Sequence, residues 1–414
     1  VIEESAAQHD DAEPAAVLRN WGLVGTVGCV VAGILPSFMT GGLSVQIGEE
    51  LHFGNAALGL AVAAYFATAA VTSAWLGTLT ERVGPGRALR IAGLASAACL
   101  LGIAVAARSF AVLVMLLMVG GVANAAAQPA ANMVIAHTAA KSRQGFLLGL
   151  KQASVPMSTL AAGLAVPVVA LTVGWRWAYA ATGVLAIGAA LLVPQTRRLP
   201  ADAAKKPAKV LPDARLRALV LLTVGLACAA AATGSLGAFA VKGGVDAGLG
   251  EGTAGYLLAL GSAGAVVVYL LAGARADRRP GRELHVTAAM LAVCAGALVA
   301  LAIGKPVAFL LAVPVAFTIG WGWPGLFNLA VVRSSPSAPG AATGITQTGA
   351  YGGVVIGPPV FGALAEHWSF SAAFLAAAGC AAVAVVVVLA GHRALQQPNA
   401  RPQMEIQPPS TATT

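Results

Sequence analysis

Long apolar runs alternate with short polar stretches along this chain, near residues 21 to 43, 56 to 79, 89 to 107, 109 to 136, 146 to 173, 177 to 194, 217 to 241, 254 to 274, 286 to 304, 306 to 332, 341 to 365 and 369 to 391. Most reach the length of about 20 residues that a helix needs to cross a hydrocarbon core of roughly 30 Å. A period of two is absent and Ala and Leu dominate, so the runs predict helices and not barrel strands. The pattern therefore predicts an all-α, polytopic membrane protein of twelve transmembrane helices. Composition agrees: 58% of the 414 residues are hydrophobic, 10% are charged and mean hydropathy is +0.81. Soluble domains of this length need far more polar surface.

Charge then orients the chain. With Val1 on the cytoplasmic side, that side collects Arg19, Arg82, Arg87, Arg90, Lys141, Arg143, the group from Arg197 to Arg217, Arg275, Arg278, Arg279, Arg282, Arg333, Arg393 and Arg401. The other side receives Arg108, Arg176, Lys242 and Lys305. The positive-inside rule places both termini in the cytoplasm of a cell whose cytoplasmic membrane this chain spans. Residues 1–20 form a polar, acidic tail with no basic n-region, so no signal peptide is expected and the first helix stays as an anchor. The net charge of +9 is not gathered on a soluble, aromatic-bearing face, which excludes a nucleic-acid partner.

The polar stretch 195–216 divides the chain into bundles at 21–194 and 217–391, followed by a disordered tail, 392–414. A shift of 195 residues superposes Pro129 on Pro324, Gly149 on Gly344, Gln152 on Gln347 and Tyr179 on Phe374. A shift of 196 superposes Gly77 on Gly273, Glu81 on Asp277 and Arg82 on Arg278. Two related six-helix halves predict a substrate site at their interface and access from alternate sides.

The repeated loops read Gly77-Thr-Leu-Thr-Glu81-Arg82-Val-Gly-Pro-Gly-Arg87 and Gly273-Ala-Arg-Ala-Asp277-Arg278-Arg-Pro-Gly-Arg282. Both resemble the G-x-L-x-D-R-x-G-R signature of the major facilitator superfamily. The resemblance implies two pseudo-symmetric six-helix bundles, with Gly77, Glu81, Arg82, Arg87, Gly273, Asp277, Arg278 and Arg282 as gating residues. An ordinary basic loop would explain the arginines but not the paired Gly and acid. The first copy carries Glu81 where the pattern favours Asp. Met115 to Met118 stand where the superfamily often has an Arg, so a proton relay through that Arg is not carried over. The stretches Gly149-Leu-Lys-Gln152, Gly174-Trp-Arg-Trp177 and Thr343-Gly-Ile-Thr-Gln-Thr-Gly349 are similar to the cyanate and nitroimidazole permease-like branch, which implies a small anionic or weakly acidic substrate.

Lys151 is the one charged side chain well inside any apolar run. At membrane depth an ammonium needs a cavity, a partner or a path to the headgroups. Lys151 shares a face with Ser154 and Ser158 and neighbours Gln152; it either faces a central cavity or snorkels along its stem. Asn124, Gln128 and Asn132 lie in line at i, i+4 and i+8, as cavity lining or as interhelical hydrogen-bonding groups. Trp321, Trp323, Asn328, Gln347 and Tyr351 are further candidate lining, the tryptophans alternatively anchors or core. Trp175 and Trp177 suit an interfacial belt and Arg176 the headgroups. Gly349, Gly353 and Gly357 form a packing stripe.

Every Asp and Glu falls outside the apolar runs, so no buried carboxylate is expected to carry protons, and His137 reads as a loop residue. Cys29, Cys99, Cys228, Cys294 and Cys380 lack metal-ligand spacing and read as packing residues; neither metal nor cofactor is expected. No phosphate-binding G-x-x-x-x-G-K-[ST] loop occurs, and no convergent catalytic groups suggest an enzyme. These readings converge on a monomeric secondary active transporter of a small anionic or weakly acidic solute, with Lys151 attracting the anion and a co-transported proton or counter-ion as possible partner. The alternatives are an exporter of amphipathic drugs or toxic metabolites and a non-transporting membrane sensor.

Overall fold

The computed structural model describes residues 12–138, 144–194, 213–276, 281–335 and 338–396. The first half comprises α1 (Ala12–Gly42), a short α2 (Ser44–Leu51), α3 (Asn55–Val83), α4 (Pro85–Ala106), α5 (Phe110–Thr138), α6 (Gln144–Gln152), α7 (Ser154–Ala165) and α8 (Trp175–Leu192). The second comprises α9 (Asp213–Asp246), α10 (Glu251–Ala276), α11 (Glu283–Leu301), α12 (Pro306–Thr318), α13 (Pro324–Ser334), α14 (Pro339–His367) and α15 (Phe370–Gln396). Among the described residues there is no strand. Lipid offers backbone groups no hydrogen-bond partner, and helices satisfy those groups within each segment.

Among the described residues eleven helices are long and apolar enough to cross a membrane, and the tenth expected span is broken. In its place α12 ends at Thr318, the chain turns through Ile319 to Trp323, and α13 starts at Pro324. Pro324 has no N–H to continue the ladder, and its ring fits the first turn of a new helix. Gly320 fits where a Cβ would stand 2.8 Å from that of Cys294. The fifth span is interrupted as well. Ala153 separates α6 from α7, its N–H shared between the carbonyls of Gly149 (3.0 Å) and Leu150 (3.1 Å). Beyond α7, Val166–Ala170 form a π turn in which the Leu171 N–H reaches back to Val166. Pro156 and Pro167 each remove a ladder donor at these places. Helix also extends into the stretches expected to be tail or linker: α1 begins at Ala12, α9 at Asp213, and α15 runs on to Gln396. Most of 195–216 and the tail beyond 396 lie outside the described residues.

Within the first half α3 packs on α5, α8 on α4, and α1 on α7; within the second α9 packs on α14 and α15. The closest packing between the halves is of α3 with α14, α7 with α10, and α1 with α9. Their approach is backbone-close at one end. A Cβ on Gly59 would lie 2.3 Å from the Pro358 carbonyl, and one on Gly163 2.8 Å from that of Gly255. Small residues make such crossings possible. The same end carries hydrogen bonds between the halves, from the Ala56 N–H to Glu366 Oε2 (2.8 Å) and from Gln46 Nε2 to Glu251 Oε2 (2.9 Å). Deeper, the hydroxyls of Thr159 and Ser262 meet at 2.7 Å. Toward the other end, Gly77, Gly149 and Gly344 meet nothing within 4 Å of an added Cβ, and Gln347 and Thr348 are exposed.

Candidate functional site

The two halves line a cavity of about 210 Å³ between them. Phe38 of α1, Phe66 of α3 and Gln152 of α6 line it from the first half. From the second come Thr233 of α9, Tyr269 of α10, Trp321 and Trp323 of the break, Asn328 of α13 and Gln347 of α14. The tenth span delivers both tryptophans because its chain turns between two half-helices instead of burying them on a continuous face. Trp321 is clamped edge-on by Phe38 (5.5 Å between centroids) and Phe317 (4.9 Å), so aromatic packing ties the halves together at the wall. Hydrogen-bonding capacity comes from the amides of Gln152, Asn328 and Gln347 and from small hydroxyls; no lining residue is charged.

Lys151 stands one position behind this wall. It is 5% exposed, and its Nζ donates to Gln152 Oε1 at 3.3 Å. A stem extended to the surface would leave the ammonium in solvent, and this one is buried. Lys151 thus does not line the cavity itself but contacts the amide of Gln152, which does. Ser158, two turns deeper on the same stripe, donates to Ser154 O (2.8 Å) and Val31 O (3.2 Å), fastening α7 to α1.

Gln152, Trp321, Asn328 and Gln347 thus come together, with Trp323. Asn124, Gln128, Asn132 and Tyr351 do not line this cavity. Gln128 Nε2 donates to Asn124 Oδ1 (3.3 Å), and Asn124 faces Gly33 of α1, so two of the three aligned amides pair within the bundle. Asn132 is exposed two turns further on. Tyr351 packs against the Ala69, Leu76 and Ala125 cluster of α3 and α5. The aromatic and hydroxyl groups at Ser37, Phe38, Phe66, Thr233 and Tyr269 were missed by sequence reasoning. Phe and Thr in an apolar run carry no signal of which way they face.

Of the gating set, Glu81, Arg82 and Arg87 are exposed around the Gly84–Pro85 turn, where Gly84 takes φ +96°, a conformation suited to glycine. Gly77 lies in α3 with open space beside it and Gly273 in α10; Asp277 and Arg278 lie outside the described residues. Arg282 immediately precedes α11, and the next residue, Glu283, lies outside the expected span yet is buried at the first turn of the helix. Glu283 is 5% exposed and pairs with Arg333 of α13 at 2.5 Å, joining the two helix ends.

At the end where the halves touch, Trp175 is buried against the protein, its Nε1 donating to Glu50 Oε2 at 2.7 Å. Arg176 stacks on the Trp175 ring at 4.4 Å, pairs with Glu50 Oε1 at 2.6 Å and donates to the carbonyls of Ala104 and Ala107. The Arg176 hydrogen bond holds the Glu50 carboxyl below its ordinary range, aided by Trp175 and by the charges of Arg176 and Arg108 against the opposing effect of burial. Trp177 is exposed. Among the described residues no group of His, Cys, Asp and Glu is arranged to hold a metal.

The chain is similar along nearly its whole length to two solved structures of a bacterial homologue of the human lysosomal transporter Spinster. The inward-facing, unoccupied form matches at 14% identity with a TM-score of 0.65, covering 91% of this chain and 96% of that one. The inward-facing, occupied form matches at 14% identity with a TM-score of 0.63 and the same coverage. A search of curated proteins finds no match. The family model described as Major Facilitator Superfamily matches residues 26–352 and 222–412. Polytopic helices, paired halves and a cavity between them thus agree with the family match, and the chain belongs to the Major Facilitator Superfamily of membrane transporters.

Proposed function

We propose that this protein is a secondary active transporter that moves a small anionic or weakly acidic solute across the cytoplasmic membrane by alternating access. The observation that carries this reading is the buried Lys151 ammonium held by the cavity-wall amide of Gln152. A fixed cation in a low-dielectric site favours an anion, and an intervening amide can turn its oxygen to the ammonium and its N–H groups to the solute. The cavity supports a small cargo, since pockets for drug-sized ligands begin near about 300 Å³ and this one holds about 210 Å³. Residues 21–194 and 217–391 would act as the two rocking bundles within one monomer, with both termini in the cytoplasm. The halves touch at the Asn55 and Glu366 end, and the basic loops lie at the other, so the state described here corresponds to one open to the cytoplasm. A proton travelling with a weak acid, or an exchanged counter-ion, would couple transport to a gradient.

The uncharged, aromatic wall favours a second reading, export of amphipathic drugs or toxic metabolites. Counterflow in proteoliposomes separates the two, using small carboxylates, cyanate and cationic dyes with wild type, Lys151→Ala and Lys151→Arg. Lys151→Ala is expected to lose anion counterflow, with partial retention in Lys151→Arg. Equal anion transport by Lys151→Ala refutes the anion site, and carriage of cationic dyes alone selects the exporter.

A further inference from the structure

We propose that Trp323 is a substrate contact, its indole N–H donating to an acceptor oxygen of a flat, apolar-bodied weak acid bound in the cavity. This deepens the weak-acid reading above and rests on it. Trp323 forms part of the cavity wall and is 3% exposed, and its Nε1 is buried without any hydrogen-bond partner. Of the buried side-chain polar atoms without partners among the described residues, it alone belongs to a cavity-lining residue. A buried, unpaired N–H costs free energy and calls for a reason.

The contacts of the ring itself are apolar. It packs edge-on to Phe327 at 6.2 Å and lies in a cluster with Leu219, Leu222 and Leu226. A ligand in the cavity is the available source of an acceptor. The turn from Ile319 to Trp323 belongs to neither α12 nor α13, so a small rotation that brings Nε1 to the cavity surface breaks no continuous helical ladder. The turn also sets Trp321 against Phe38 of the other half, giving the cavity flat π faces suited to a planar body. Binding would thus satisfy the orphaned donor and draw on the break in the tenth span, which explains why two tryptophans flank a glycine at the one place where that helix stops.

The test uses the full chain in detergent with benzoate as probe, comparing wild type, Trp323→Phe, and a variant carrying benzothienylalanine at position 323. The last keeps the shape of the bicyclic ring and replaces only the N–H by sulfur. Both variants are expected to bind benzoate about tenfold more weakly, the loss of roughly one hydrogen bond. The benzothienyl variant should melt no lower than wild type without ligand, because an unpaired donor has been removed. A benzothienyl variant that binds benzoate as wild type does overturns the proposal, even if Trp323→Phe is too unstable to assay. A wild type that neither binds nor transports benzoate or other carboxylates overturns the weak-acid reading and this contact with it.

Discussion

Replacing Gly54 by alanine is expected to loosen the closed end of the protein without disturbing the helix it precedes. Gly54 has φ −89° and ψ −168°, extended backbone that every residue type adopts, so the alanine strains nothing locally. Its Cβ would nevertheless stand 2.3 Å from Glu366 Oε2, and the carboxylate must withdraw. What is lost is the bond it accepts from the Ala56 N–H at 2.8 Å, a contact between halves at the start of α3. A hydrogen bond to a charged group contributes about 1.5–3 kcal/mol. Glu366 is exposed, where water competes, so about 1 kcal/mol is the reasonable share, or about fivefold in the equilibrium between closed and open at this end. Spin labels on Arg108 and Trp368, both exposed, in a chain with its cysteines replaced, would report the distance distribution between the halves. The longer-distance population should grow about fivefold in Gly54→Ala and in Glu366→Ala, with no further growth in the double variant. Unchanged distances in Gly54→Ala, or effects that add in the double variant, would refute the reasoning.

Two further outcomes concern charge pairs. The Glu50 carboxyl is held below its ordinary value, so its contribution to stability is complete above the unfolded-state value and is lost as pH falls through the lower folded-state value. With the Glu50 side chain 48% exposed the effect is below about 1 kcal/mol, and a melting series from pH 7 down to pH 4 should decline less steeply in Glu50→Gln than in wild type. Arg333→Ala leaves the buried Glu283 carboxylate without its partner; from about 3–5 kcal/mol for a fully buried pair, discounted because Arg333 is 36% exposed, a loss of about 2 kcal/mol is expected. Thermal melting checks it, and a Glu283→Gln/Arg333→Ala double variant should recover part of the loss.

How much of the site could be read from the sequence depended on whether a residue's chemistry or its direction mattered. Lys151 and Gln152 stood out because an ammonium in an apolar run needs an explanation wherever it points, and the structure buries Lys151 against Gln152, which lines the cavity. The repeat offset singled out Gln347, which lines the same cavity. The aligned amides Asn124, Gln128 and Asn132 share a helical face, but a face can meet a neighbouring helix as readily as a cavity, and Asn124 meets α1. Glu283 was assigned to a loop because hydropathy placed the helix start three residues later, while its burial depends on Arg333, a residue of another helix.

The sequence by itself determined the membrane-spanning, helical character of the chain, and it predicts a six-plus-six division. These follow from span length, the cost of unsatisfied backbone in lipid and the placement of polar stretches, all local or additive properties. Tertiary structure decided where the spans break and what each face meets. Pro324 marks a possible interruption, but only packing shows that the five residues before it leave the helix and carry Trp321 and Trp323 to the cavity. In lipid the apolar faces of a helix are chemically alike, so the side that turns inward is set by shape, by glycine crossings such as Gly59 on Pro358 and by a few hydrogen bonds between distant residues, none of which a single chain's hydropathy encodes.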